Sequence, residues 1–227
     1  MGGDTGPGNE TIAVPPGRVT LSDRRTDRRW SVEVGPFRLG RFQVTQALYE
    51  QLTGERPGSA HGDGLPVEGV SWWDAVRFCN ALSERAGFTP AYRFPAGDET
   101  VEWDRSADGY RLPTEAEWEH ACRSGTTGPR YGPLDEIAWH RANSQDRLHE
   151  VGGRQPNPWG LYDMLGNVWE WCWDLYDPAT YGAYRIFRGG GHADPPRSVG
   201  STVRRRSHPA FAIEDLGLRL AQSPRTA

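Results

Sequence analysis

One stretch constrains the chain more than any other: Asn157 to Asp174, NPWGLYDMLGNVWEWCWD. Gly166-Asn167 is a turn dipeptide, because both residues tolerate positive φ. Leu161, Tyr162, Met164 and Leu165 precede it, and Val168, Trp169 and Trp171 follow. A turn flanked so closely by large apolar side chains has to be buried, yet its peptide groups still need hydrogen-bond partners. The fold must therefore bring polar groups to an interior loop. Asp163, Asn167 and Glu170 place three oxygen-bearing side chains in this same segment. Two readings fit them. A hard cation such as Ca2+ would neutralise both carboxylates and take carbonyls from the turn. Alternatively, the carboxylates accept backbone N–H bonds.

The rest of the chain must build a core from little aliphatic material. Hydrophobic residues make up 36% of it, and the mean hydropathy is −0.71. Ten Trp, eight Tyr and seven Phe compensate, since each buries a large area. With 28 Gly and 18 Pro beside those aromatics, the composition indicates a loop-rich, ordered domain rather than disorder. A length of 227 residues suits one domain, expected over residues 12–223 behind a frayed tail at 1–11. No apolar run is long enough to span a bilayer, and MGGDTGPGNE lacks the basic start and apolar core of a secretory signal. Cys79, Cys122 and Cys172 are odd in number and widely spaced, with no CxxC pattern. They are expected to be reduced core residues of a cytoplasmic protein. The formal net charge is −4, and every one of the 26 Lys or Arg residues is arginine.

Local signals place several elements. Val19–Leu21 and Trp30–Val34 alternate as half-buried strands do, and Phe37–Phe42 is a third short strand. Thr45 caps a helix from Gln46 to about Leu52, stopped by Gly54. Ser71, with Asp74 three residues on, caps a helix over Trp72–Arg85 that Gly87 ends. Residues 91–105 are irregular or a hairpin. Thr114 and Glu117 form a capping-box pattern for Glu115–Cys122. Glu115, Glu117 and Glu119 favour the macrodipole of that helix, which is a simpler account than acid catalysis. Residues 124–156 are expected to be loop. Arg185–Arg188 is a strand broken by Gly189-Gly-Gly191, and Arg204–Arg206 lies on another, with the middle arginine facing away from the outer two.

GLYDMLGNVWEWCWD resembles the signature of the formylglycine-generating enzyme family, also called sulfatase-modifying factor domains. Three further segments match in the same order: Arg111-Leu-Pro-Thr-Glu-Ala-Glu-Trp-Glu119, Arg188-Gly-Gly190 and Gly217-Leu-Arg-Leu220. The resemblance covers roughly residues 12–221. It implies an α+β, variant C-type-lectin-like fold, loop-rich with a few short helices and twisted, mostly antiparallel sheets. It also implies a structural Ca2+ held by Asp163 and Glu170 with carbonyls from Gly166 and Val168.

In the family's catalytic members, two cysteines after the Arg-Gly-Gly strand bind copper(I), which activates oxygen to turn a substrate cysteine into formylglycine. Thiolates suit copper(I) because both are soft. The resemblance places Asp194 and Val199 at those two positions, so copper chemistry is not expected here. Two function classes follow. The first is a binding module for a peptide or protein segment, or for a small ligand. Its cleft would be walled by Trp169, His192, Asp194, Arg204 and Arg206, with aromatic area and arginine forks supplying affinity. The alternative is a non-copper oxidase holding Fe2+ through His192, Asp194 and His208 as a two-histidine, one-carboxylate triad. The segment 185–206 carries six arginines against one acid. Pairing with Glu214, Asp215 or Glu170 accounts for such a cluster more simply than nucleic acid does, given the negative total charge.

Overall fold

A computed structural model describes residues 10–95 and 100–224. Most of the expected tail, residues 1–9, lies outside the described residues. Glu10 already pairs with Arg41, and the first strand begins at Thr11.

In chain order the strands before the first helix are β1 (Thr11–Val14), β2 (Gly17–Asp23), β3 (Arg28–Val34) and β4 (Phe37–Gly40). The helices α1 (Gln46–Thr53) and α2 (Trp72–Arg85) follow, then the short strands β5 (Tyr92–Arg93), β6 (Glu102–Trp103) and β7 (Tyr110–Arg111). Helix α3 (Glu115–Arg123) and the single turn α4 (Leu134–Ile137) come next. The C-terminal half holds β8 (Trp169–Leu175), α5 (Pro178–Tyr181), β9 (Arg185–Arg188), β10 (Arg204–Ser207), β11 (Leu216–Gly217) and β12 (Ala221–Gln222).

The caps explain the three longer helices. Thr45 accepts from the Leu48 N–H, and Gly54 closes α1 at φ 76°. Ser71 accepts from Asp74 at the start of α2. Thr114 and Glu117 form a complete capping box on α3. Each satisfies amide donors that the first turn leaves free. The expected hairpin in residues 91–105 is the β5–β6 pair, and α4 interrupts the segment expected to be loop throughout.

Two four-stranded sheets organise the molecule, in the orders β1-β4-β12-β7 and β10-β9-β8-β11. The β2–β3 hairpin forms a separate arm, paired from Gly17↔Val34 to Asp23↔Arg28. Strand β8 divides two cores. Trp169, Trp171 and Phe187 pack with α1, α2 and the C-terminal strands. Cys172 and Ile186 pack with Trp118 and Ala121 of α3 and with Val19 and Leu21 of the arm. Val199 is buried, and so are the three cysteines, which are all free thiols. Among the described residues no helix is long and apolar enough to cross a membrane.

Candidate functional site

The buried turn obtains its hydrogen bonds from the loop at residues 139–152. Gly166 has φ 81°, and a Cβ there would lie 2.2 Å from the Trp139 carbonyl. The Asn167 N–H donates to that same carbonyl at 2.9 Å. Its side-chain amide accepts from the His149 N–H at 3.1 Å and donates to the His149 carbonyl at 2.9 Å. So the turn is interior, and Asn167 ties it to Trp139 and His149.

The carbonyls of Asp163, Gly166 and Val168 and the Glu170 Oε1 converge on one point. The Gln43 amide nitrogen fills it, at 3.2, 3.4, 2.9 and 3.0 Å respectively. An amide NH2 has two hydrogens for these four acceptors. The Gln43 Oε1 and the Asp163 Oδ1 are buried, and neither has a hydrogen-bond partner among the described residues. Asp163 turns its other carboxylate oxygen away, to the Gly152 N–H at 2.6 Å. Burial pushes its carboxyl up to about 6 against the pull of that N–H and of Arg219. Glu170 is fully buried and already neutralised. Arg219 grips it at 2.7 and 3.0 Å, and the Trp118 indole donates to it at 2.7 Å. The cradle therefore has the hard-oxygen donors that calcium takes, with an amide at its centre.

The arginines of β10 alternate as expected, but the face opposite to the expected one meets Trp169. Arg204 forks onto Glu115 at 2.7 and 2.8 Å. Arg206 stacks on Tyr181, its guanidinium 3.7 Å from the ring centre. It is Arg205 that lies over Trp169, at 4.6 Å, and pairs with Asp194 at 3.0 Å. The register sets this, since Arg205 stands opposite Phe187, whose side chain packs on Trp169.

The expected cleft wall is therefore not assembled. Trp169 is 1% exposed, and its indole N–H is spent on the Asp194 carboxylate at 2.6 Å. It belongs to the core and forms no groove floor.

The expected iron triad is not assembled either. Asp194 is taken up by Trp169, by the Gly191 N–H at 3.0 Å and by Arg205. The His192 Nδ1 faces the Asn167 carbonyl at 3.3 Å. His208 packs between Tyr184 and Phe211 and accepts from the Ala210 N–H. Among the described residues no three His, Cys, Asp or Glu side chains are placed to hold a metal.

Neighbouring groups crowd the triple glycine, and at Gly191 the close neighbour is a carboxylate. A Cβ on Gly191 would lie 2.3 Å from Asp215 Oδ2. Burial, then the charges of Asp194 and Glu68, push the Asp215 carboxyl up to about 7.

The acids of α3 do more than balance a dipole. Glu115 and Glu119 clamp the fully buried Arg188 of the Arg-Gly-Gly motif, and Glu117 receives Arg111 through two bonds of 2.7 Å. The expected partners of the arginine cluster, Glu214, Asp215 and Glu170, give way to Glu115, Asp23 and Asp194. Sequence reasoning did not assign roles to Gln43, Arg219 or Asp174. Arg219 and Asp174 lay inside quoted motifs, while Gln43 carries no local signal.

A cavity of about 720 Å3 opens on the α3 side of β8. The arm supplies one wall through Trp30 and Val32, and Trp103 and Arg105 supply another. The first turn of α3 and the end of β8, with Asp174, form the floor. The Asp174 Oδ2 accepts from the Glu115 N–H at 2.6 Å. Burial pushes its carboxyl up to about 6, opposed by that N–H and reinforced by the charges of Glu115 and Glu117.

Comparison with known proteins agrees with this architecture. The formylglycine-generating enzyme of Streptomyces coelicolor is 37% identical over 218 residues, a match covering 71% of this chain and 69% of that protein. The inactive C-alpha-formylglycine-generating enzyme 2 of Mus musculus is 32% identical over 200 residues, covering 79% of this chain and 56% of that protein. The chain thus spans little more than half the length of the mouse relative. Among solved structures, Treponema denticola variable protein 1 superposes with a TM-score of 0.85 at 30% identity, covering 94% of this chain and 95% of that one. Residues 2–224 match the sulfatase-modifying factor enzyme 1-like domain, and the chain belongs to that family, with its C-type-lectin-like fold.

Proposed function

We propose that this chain is a ligand-binding member of its family that does not oxidise cysteine through copper. The carrying observation is the state of Asp194. It stands where the resemblance assigns the first thiolate, and its carboxylate is consumed by Trp169, Gly191 and Arg205. Val199, at the second position, is 1% exposed. A carboxylate in an ion pair and a core valine do not offer copper(I) its soft ligands. The three thiols that exist are buried, and burial raises each of them away from the reactive thiolate form. The cavity on the α3 side has the volume of a small-ligand site, and binding is assigned to it.

A structural calcium is a second part of the proposal. The Asp163, Gly166 and Val168 carbonyls and the Glu170 carboxylate would hold it. The oversubscribed Gln43 amide and the two unpaired oxygens beside it support this. Its role would be to tie the interior turn down.

The oxidase question is tested by incubating the protein with copper(I), oxygen and a Cys-x-Pro-x-Arg peptide. The peptide mass should stay constant, and a product lighter by the change from thiol to aldehyde would sink the first claim. Binding is tested by ligand-observed NMR with a mixed fragment set. Hits should compete with one another and weaken or vanish in Val32→Trp, which places an indole in the cavity wall. Hits unaffected by that substitution would place binding elsewhere.

A further inference from the structure

The charged groups around the α3-side cavity are almost all consumed. Arg25 pairs with Asp177, and Arg204 with Asp23 and Glu115. Glu117 is held by Arg111, and Glu33 by Arg18. Three lining charges remain. Asp174, on the floor, forms no ion pair among the described residues; its side chain accepts from the Glu115 N–H. Arg185 senses its charge, yet it lies over the Trp72 ring and donates to the Trp173 carbonyl. At the rim, Arg28 lies 5.1 Å over Trp30 and Arg105 lies 4.1 Å over Trp103. Neither arginine is ion-paired among the described residues.

Such an arrangement has a polarity. Among the described residues, a carboxyl outside any ion pair sits at the bottom, two indoles line the walls, and two guanidinium groups outside any ion pair stand at the mouth. A purely anionic ligand would meet Glu115, Glu117 and Asp174 at depth, and a purely cationic one would pass two arginines. A ligand with both charges satisfies both ends while its hydrocarbon lies between the indoles. Charge-assisted bonds at a half-enclosed floor and bidentate arginine contacts to a carboxylate are the stronger kinds available.

We propose that this cavity binds a small amino-carboxylate, its ammonium group against Asp174 and its carboxylate held by Arg28 and Arg105. The assignment rests on the reading of the chain as a ligand-binding domain and names the ligand class for that site. The ammonium replaces the cation that Asp174 lacks. The shift of Asp174 to about 6 agrees with a carboxyl that waits for one.

Three probes of equal chain length separate the alternatives: 6-aminohexanoate, hexylamine and hexanoate. Calorimetric titration of the whole chain at pH 7.5 should show 6-aminohexanoate binding about tenfold or more tightly than either single-charge analogue, the loss expected for one charge-assisted contact. Asp174→Asn should bring 6-aminohexanoate down to the level of hexanoate. The joint Arg28→Ala and Arg105→Ala change should bring it down to the level of hexylamine. These arginines are exposed, so the second variant keeps the test sound if the first fails to fold. Arg205→Ala, on the other face of the sheet, should change nothing. Equal binding of hexanoate or hexylamine would overturn the amino-carboxylate assignment and leave the binding reading standing. So would a wild-type affinity in the paired arginine variant. If none of the three probes binds, the assignment falls, and the fragment experiment alone decides whether the cavity is a site.

Discussion

The indole N–H of Trp169 meets the carboxylate of Asp194 at 2.6 Å, inside the core. Arg205 completes the group by lying over the same indole and pairing with the same carboxylate. Asp194→Ala would leave a buried N–H without its acceptor, which costs about 1–3 kcal/mol. Urea unfolding should show that loss, with a smaller one in Asp194→Asn, whose amide oxygen can still accept. Unchanged stability in Asp194→Ala would mean the pair is not maintained in solution.

Arg219 and Glu170 form a fully buried pair at 2.7 Å. Arg219→Met should destabilise by about 3–5 kcal/mol, because it strands the carboxylate in the interior. Adding Glu170→Gln should recover part of that loss, since the uncompensated charge is gone. A double variant worse than the sum of the single ones would contradict this account.

Asp215 makes a pH-dependent difference. Its folded-state carboxyl is pushed up to about 7, above the ordinary value near 4. The folded form therefore holds a proton that the unfolded form gives up. The contribution is fully present below about pH 4 and is lost as pH rises towards 7. Asp163 and Asp174, raised to about 6, act in the same direction. The melting temperature of Asp215→Asn relative to the parent should rise between pH 5 and pH 8. A constant difference would show that the carboxyl titrates normally.

Calcium is testable by removal and return. Protein stripped with a chelator should melt lower, and added calcium should raise the melting temperature, by the equivalent of about 2.7 kcal/mol at a hundredfold excess over the dissociation constant. Glu170→Gln should remove the increment. A melting temperature indifferent to both treatments would leave Gln43 as the group that fills the cradle.

The helices were legible because their signals are local. Thr45, Ser71 and Thr114 are caps, and each acts within its own first turn. Strand β8 was less visible because Trp169–Cys172 is buried on both faces, so no polar alternation marks it. The alternation of Arg204, Arg205 and Arg206 could be read from the strand period. Which face looks at Trp169 depended on the pairing of Arg205 with Phe187, a partner 18 residues distant. Gln43 shows the same limit more sharply. Its four oxygen partners lie 120 to 127 residues away, and nothing in the residues beside it announces them.

Strand β12 sits between β4 and β7 in its sheet, with Ala221 opposite both Leu39 and Arg111. The first of those partners is made early in synthesis, and the strand that joins them is made very late. At about 5–20 residues per second the β4 edge waits on the order of ten to forty seconds for its neighbour. Until then Phe37 and Leu39 belong to an incomplete sheet on a growing chain, and the non-local closure that follows is of the slow kind. The nascent protein thus passes through an interval in which an unpaired edge is available to other chains or to a chaperone.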